Sequence, residues 1–288
     1  MSITDKLNDL KIAKQDIKSA IQEKGVTPTG GLSTYADAIR DIQTGGGNVK
    51  LSPNTMFGGS HTITYIPNMD TSEYTTMYGM FSECYQLKNV PLFDTRNVTS
   101  MGFMFEECNS LQSVPLFDTR NVTSMRGMFS MRPYDIIYPY IPESQLVSVP
   151  QFDTSKVTDM VFMFQYCVNL QSVPQFDTSK VTDMAYMFYN CRNLETIPQF
   201  DTGNATDMSA LFYNCSNLTN LGGFKNLSAN LDLYSCYKLT HESLMNVINN
   251  LAIVESTKTL KLNSLSIEKL SANDITIAID KGWTITTA

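Results

Sequence analysis

The chain has 288 residues, 42% of them hydrophobic and 17% charged, with a net charge of −7. That composition belongs to a globular chain with room for a large core and excludes a disordered one. The 21 basic residues are scattered, which excludes nucleic acid as a partner, and no apolar run reaches the roughly 20 residues that span a bilayer.

From the amino terminus, residues 4–24 place Leu7, Leu10, Ile17 and Ile21 on one face of a helix that ends at Gly25. A second helix, over 33–42, presents Tyr35, Ala36, Ile39 and Ile42 behind a Ser33 cap. Residues 1–44 therefore predict a helical hairpin too small to be stable on its own core, so it is expected to dock or to oligomerise. Its docking residues are Leu7, Leu10, Ile17, Ile21, Tyr35 and Ile39. The opening MSITDKLNDLKIAKQDIKSA lacks an apolar signal-peptide core, which predicts synthesis and folding in a cytoplasm. Gly45, Gly46 and Gly47 open a linker that runs to residue 61.

Residues 62–240 form a tandem array. The Asp of its (F/M)DT motif recurs at Asp70, Asp94, Asp118, Asp153, Asp177 and Asp201, with spacings of 24, 24, 35, 24 and 24. In the unit 87–110 the apolar positions are Leu87, Val90, Phe93, Val98, Met101, Met104, Phe105 and Cys108. The last four fall at i, i+3, i+4 and i+7, one face of a helix, with Thr99 as its N-cap and a carboxylate (Asp159, Asp183 or Asp207) in the first turn of later units. The segment L-x-x-V-P-x-F reads as a short strand closed by a turn at the Asp-Thr pair. The fold class expected is α/β: a leucine-rich-repeat-like solenoid of strand-helix units, since one such unit cannot bury its own apolar face. Strands stack about 4.8 Å apart and helices pack 8–10 Å apart, so the array is expected to curve with its strands inside.

An insertion breaks the period near 130–146, where Arg132 replaces the expected Cys and Tyr134, Tyr138 and Tyr140 arrive among prolines. Such an insertion maps to a loop, often on a binding face. The array ends in a cap, 241–288: LTHESLMNVINNLA reads as an amphipathic helix, TLKLNSL as a strand, and EKLSANDITIAIDKGWTIT as a helix leading into a last strand, with Trp283 in the cap's core.

Three resemblances follow from these residues. The sentence F-D-T-S-K-V-T-D-M-x-x-M-F-x-x-C-x-N-L resembles the repeat of BspA-like leucine-rich-repeat surface proteins and mycoplasma lipoproteins. The string IKSAIQEKGVTPTGGLSTYADAIRDI is similar to amino-terminal segments of tail and other virion proteins of phages infecting gut bacteria, and ITIAIDKGWTIT to the carboxy-terminal cap of repeat proteins in Bacteroides-type bacteria and their phages. Together they imply a virion location and a tail, fibre or other appendage that meets other virion proteins through the hairpin and a host-surface glycan or protein through the array. A bacterial adhesin is the alternative they imply. A homo-oligomer is compatible with this reading, although no long heptad specifies a trimer.

Catalytic residues are not expected: His61 and His241 stand in unrelated contexts, and no hydrolase, metalloprotease or phosphate-loop motif is present. No cofactor or metal is expected either. Cys84, Cys108, Cys167, Cys191 and Cys215 share one inward position, as free thiols too far apart on packed helices for disulfides. Each Asp of the ladder offers too few oxygens for calcium and is expected to close a turn. Function should then sit where units differ. The candidate binding residues are the aromatics Phe103, Phe162 and Tyr186 in one exposed column, Tyr189 and Tyr213 in its neighbour, and the insertion residues Arg132, Tyr134, Tyr138 and Tyr140.

Overall fold

The computed structural model describes residues 56–66, 68–131 and 143–287. The expected hairpin, most of the linker and the centre of the insertion lie outside the described residues. Regular elements are short and few: β1 (Thr196–Ile197), β2 (Phe200–Asp201), β3 (Asn220–Leu221), β4 (Phe224–Lys225), β5 (Leu231–Asp232), α1 (His241–Asn249), β6 (Lys258–Lys261), α2 (Ser264–Ile267), α3 (Ala272–Asp280) and β7 (Trp283–Thr286). Every strand pair is parallel: β1 with β3, β2 with β4, and a sheet in the order β5-β6-β7. Among the described residues the architecture is α/β, with no closed barrel.

Before β1, successive units bond to one another in parallel register. A continuous series of bridges runs Thr76, Ser100, Ser124, Asp159, Asp183, Asp207. The Asp-Thr pair adds one bond within the unit and one to the next. The Asp118 carboxylate accepts the Arg120 N–H and closes its turn, while the Thr119 hydroxyl, 1% exposed, donates to the Asp153 carbonyl of the next unit at 2.9 Å. The same pair of bonds recurs at Asp70-Thr71, Asp94-Thr95, Asp153-Thr154 and Asp177-Thr178. A buried hydroxyl without a partner would be costly, so each Thr fixes the register of the unit above it.

The repeat's expected helix does not form. From Met101 to Leu111 the chain makes successive tight turns: Met104 N–H donates to the Met101 carbonyl, Glu106 to Phe103, and Cys108 to Phe105. Alternate N–H groups turn outward to the next unit, Met101 to Ser124, Phe103 to Arg126 and Phe105 to Met128. An α-helix would keep all of these within itself. The change of direction requires left-handed backbone, found at Phe103 (φ 53°) and Glu107 (φ 59°) and repeated at Phe162, Tyr166, Tyr186, Asn190, Ala210 and Asn214. Thr99 is accordingly no N-cap; its N–H and hydroxyl both donate to the Thr75 carbonyl of the preceding unit. Asp159, Asp183 and Asp207 likewise close turns, by accepting the N–H two residues on, rather than meeting a helix dipole. With both walls joined by backbone hydrogen bonds at one spacing, the ground for expecting curvature disappears.

The inward positions are nonetheless those the periodicity marks. Phe81, Phe105, Phe129, Phe164, Phe188 and Phe212 form a stack with ring centroids 5.6–5.7 Å apart, and the methionines beside them, Met80, Met104, Met128, Met163 and Met187, are fully buried. Each cysteine is free and buried, its Sγ donating to the phenylalanine carbonyl of the preceding unit, as in Cys108 to Phe81 at 3.1 Å. That bond, rather than separation on packed helices, accounts for the thiol's position.

Residues 241–288 hold the expected helix, strand, helix and last strand as α1, β6, α3 and β7, with α2 an unexpected addition at the end of the segment read as a strand. α1 starts at Thr240, whose side chain accepts from Ser243, and α3 starts with a reciprocal capping box between Ser271 and Asp274. Trp283 is 2% exposed and its indole N–H reaches the Ala252 carbonyl at 2.9 Å, so it seals the core end as a satisfied buried residue.

Candidate functional site

Because the constant positions are spent on the core and on the walls, the variable side chains emerge in columns on the turned segment. The position five residues before Cys84, Cys108, Cys167, Cys191 and Cys215 carries Gly79, Phe103, Phe162, Tyr186 and Ala210, and Gly127 stands at the same place in the unit where Arg132 replaces the cysteine. All six have φ between 52° and 61°. Glycine takes that conformation freely, whereas a bulky L-residue is strained there by about 1–2 kcal/mol. Three units therefore place an aromatic ring where the backbone favours glycine.

The structure gathers most of these rings into one face. Phe162 meets Tyr186 at 5.3 Å between centroids, Tyr186 meets Tyr189 at 5.7 Å, and Tyr189 stacks on Tyr213 at 4.8 Å and 12°. Tyr166 joins from a third column, 5.4 Å from Tyr189. Burial, with Tyr189 beside it, pushes the Tyr166 phenol up. Tyr213 is 51% exposed and Tyr186 36%, so the face is open to a partner. Of the expected aromatic residues, Phe162, Tyr186, Tyr189 and Tyr213 come together and Phe103 does not. Its ring lies with Tyr78, 5.5 Å away, over Gly127, where an added Cβ would sit 2.4 Å from the ring. Arg132, Tyr134, Tyr138 and Tyr140 fall outside the described residues, as do Leu7, Leu10, Ile17, Ile21, Tyr35 and Ile39.

Sequence reasoning overlooked a second component. Arg126 lies with its guanidinium 5.4 Å from the centroid of the Phe162 ring and 3.4 Å from the Asp159 carboxylate. At the far end, Lys261 repeats the arrangement, 5.2 Å from the Tyr234 ring and 3.5 Å from Asp232. In both, a turn-closing Asp and an aromatic residue two or three positions on hold a cation supplied by another unit. The signal was present in sequence as D-x-x-F and D-x-Y, but only the turned backbone shows that they share a cation.

The Asp ladder lines a separate surface. A cleft of about 660 Å³ is lined there by Asp153, Asp177, Asp201, Ser155, Ser179, Lys225 and their neighbours. The Ser155 and Ser179 hydroxyls, and then the N–H groups of the same residues, hold the carboxyls of Asp153 and Asp177 below the usual carboxylate range. Arg96 and Arg120 do the same for Asp94 and Asp118. These acids are occupied in turns and local pairs. Among the described residues no group of three or more His, Cys, Asp or Glu side chains is arranged to hold a metal ion. His61 lies against Tyr85 and Glu83, and His241 against Asp274, at separate places in the chain.

No curated protein matches the chain. A family profile does match, over residues 51–133 and 141–245, which together make up well over half of it. Those two stretches bracket the insertion and cover the array. The chain belongs to the family described as "Mycoplasma protein of unknown function, DUF285".

Proposed function

We propose that this is a non-enzymatic recognition protein: a leucine-rich-repeat-like solenoid whose aromatic face engages a partner, carried on a phage particle as a tail, fibre or other appendage. The observation that supports recognition is the placement of Phe162 and Tyr186 at left-handed positions that two other units, at Gly79 and Gly127, fill with glycine. Strain of that kind persists where the side chain serves something other than the fold. Exposed, clustered Tyr and Arg residues are also the types that anchor protein interfaces.

The virion assignment draws on the likeness of residues 1–44 to amino-terminal segments of phage tail proteins. In this reading the protein is made in the bacterial cytoplasm and joins other virion proteins through that segment. Deleting residues 1–44 should abolish incorporation into particles and leave the array folded. Normal incorporation of the truncated protein refutes the docking role. A second reading, a bacterial surface protein, is favoured by the mycoplasma description of the family. Mass spectrometry of purified virions against surface-shaved cells separates the two.

A further inference from the structure

The Arg126 site on the aromatic face has a counterpart in the next unit that has no cation of its own. Asp159 pairs with Asp183 in the parallel series and Asp183 with Asp207, so the backbone of one unit is carried onto the next. Phe162 (φ 61°) and Tyr186 (φ 59°) then occupy equivalent places, each three residues after its Asp. The first site is filled by Arg126, which stands six positions before the Arg132 site of its unit. The residue at that position in the following unit is Val161, and in the one after it Ala185; both are buried and uncharged. Among the described residues no Lys or Arg pairs with Asp183 or Asp207. The Asp183 Oδ1 accepts the Ala185 N–H, as Asp159 Oδ1 accepts from Val161, which leaves the second oxygen in the role that Asp159 Oδ2 plays toward Arg126.

Resting on the reading of this face as a recognition surface, we propose that Asp183 and Tyr186, flanked by Tyr189, Tyr213 and Asp207, take an arginine side chain from an extended segment of a partner protein. Three observations support arginine. The chain itself fills the equivalent site with one. A guanidinium can lie on a ring and bond a carboxylate at once, which a compact ammonium does less well. The acidic column Asp159, Asp183, Asp207 belongs only to the units that carry the clustered aromatics; the earlier units have Thr76, Ser100 and Ser124 in its place. An acidic column on a chain of net charge −7 also steers a basic segment toward the face.

The test uses the full chain and a dye-labelled glycine–serine peptide bearing arginines a few residues apart, followed by fluorescence anisotropy at low salt. Saturable binding is expected, weakened about tenfold when citrulline replaces arginine and less when lysine does. Asp183→Asn keeps the oxygen that accepts the Ala185 N–H, so the turn survives, and should weaken binding about threefold to tenfold. Val161→Arg supplies the missing cation from within and should block the peptide without touching either site residue. The same position already carries large side chains at Tyr78 and Arg126. Equal binding of the citrulline peptide overturns the proposal, as does the absence of saturable binding. If Tyr186→Ala and Tyr213→Ala weaken peptide binding while Asp183→Asn does not, the carboxylate-held cation is refuted and the recognition face stands. A neutral oligosaccharide that binds this face independently of Asp183 likewise refutes the cationic ligand and assigns the face to glycan. If the tyrosine variants change the binding of neither the peptide nor the oligosaccharide, the face itself is refuted.

Discussion

Replacing Tyr186 by glycine and, separately, by alanine distinguishes the turned coil from the helix that the repeat pattern suggests. Both variants lose the ring and its contacts with Phe162 and Tyr189, so that loss cancels between them. At φ 59° alanine is strained by about 1–2 kcal/mol and glycine is not. Glycine's extra freedom in the unfolded chain takes back about 0.5–1 kcal/mol. The glycine variant should therefore be the more stable by about 1 kcal/mol, a Tm difference of about 2–4 °C for a domain of this size. Were residues 98–108 and their equivalents helical, glycine would instead be worse than alanine by about 1 kcal/mol. The two accounts differ in sign, by about 2 kcal/mol in total, well within reach of urea unfolding followed by circular dichroism. An alanine variant as stable as the glycine one, or more so, would refute both the left-handed turn and the argument that the aromatic ring is held there against backbone preference.

Three further outcomes follow from the same geometry. Gly127→Ala meets both a left-handed φ of 58° and the Phe103 ring, and should lower stability by about 1–3 kcal/mol; adding Phe103→Ala should restore part of it in a double-mutant cycle. No cysteine should react with a thiol reagent at pH 8 in the folded protein, and all 6 should react in urea. Burial pushes the Cys167 thiol up to about 12, so its contribution to stability is intact below the unfolded value of about 8.5 and declines as pH rises toward the folded one. At the acid end, the Ser-held carboxyls of Asp70, Asp153 and Asp177 titrate below their unfolded value of about 3.9. Their contribution is complete above that value and disappears as pH falls through the lower folded one, so the urea midpoint should drop as pH falls below about 4.

Much of this arrangement was legible because repetition isolates what each position must do. Leu87, Val90, Phe93, Val98, Met101, Met104, Phe105 and Cys108 are all buried, as the period implies, and α1, β6, α3 and β7 fall inside the cap segments read from sequence. The helix was misjudged because burial at i, i+3, i+4 and i+7 constrains only which side chains face inward. A coil of successive tight turns meets the same condition while sending alternate N–H groups to its neighbour. The discriminating signs were present: Gly79 and Gly127 sit in the middle of the supposed helix, and Asn190 and Asn214, residues tolerant of left-handed backbone, recur nearer its end. Arg126 and Tyr166 escaped notice for a related reason. Reading one column at a time finds neighbours along the array, but which columns touch each other depends on the sense of the turn between them.

The distribution of variation then acquires a physical meaning. Thr119, Cys108 and Phe105 each spend a side chain or a carbonyl on an adjacent unit, so a change at any of them is felt by two units at once. The positions two, five, six and eight residues before the cysteine lie outside the phenylalanine stack and the thiol-to-carbonyl bonds, and there the units diverge: Thr76, Gly79 and Ser82 in one, Asp183, Tyr186 and Tyr189 in another. Because neighbouring units are joined by backbone bonds in a fixed register, side chains placed in these columns inherit a fixed spacing without further design. A site of the kind proposed for this face would be assembled from several units, each contributing one or two groups, and its specificity would lie in the order of the units. Arg126 illustrates the point, since its two partners, Asp159 and Phe162, belong to a different unit across the broken period.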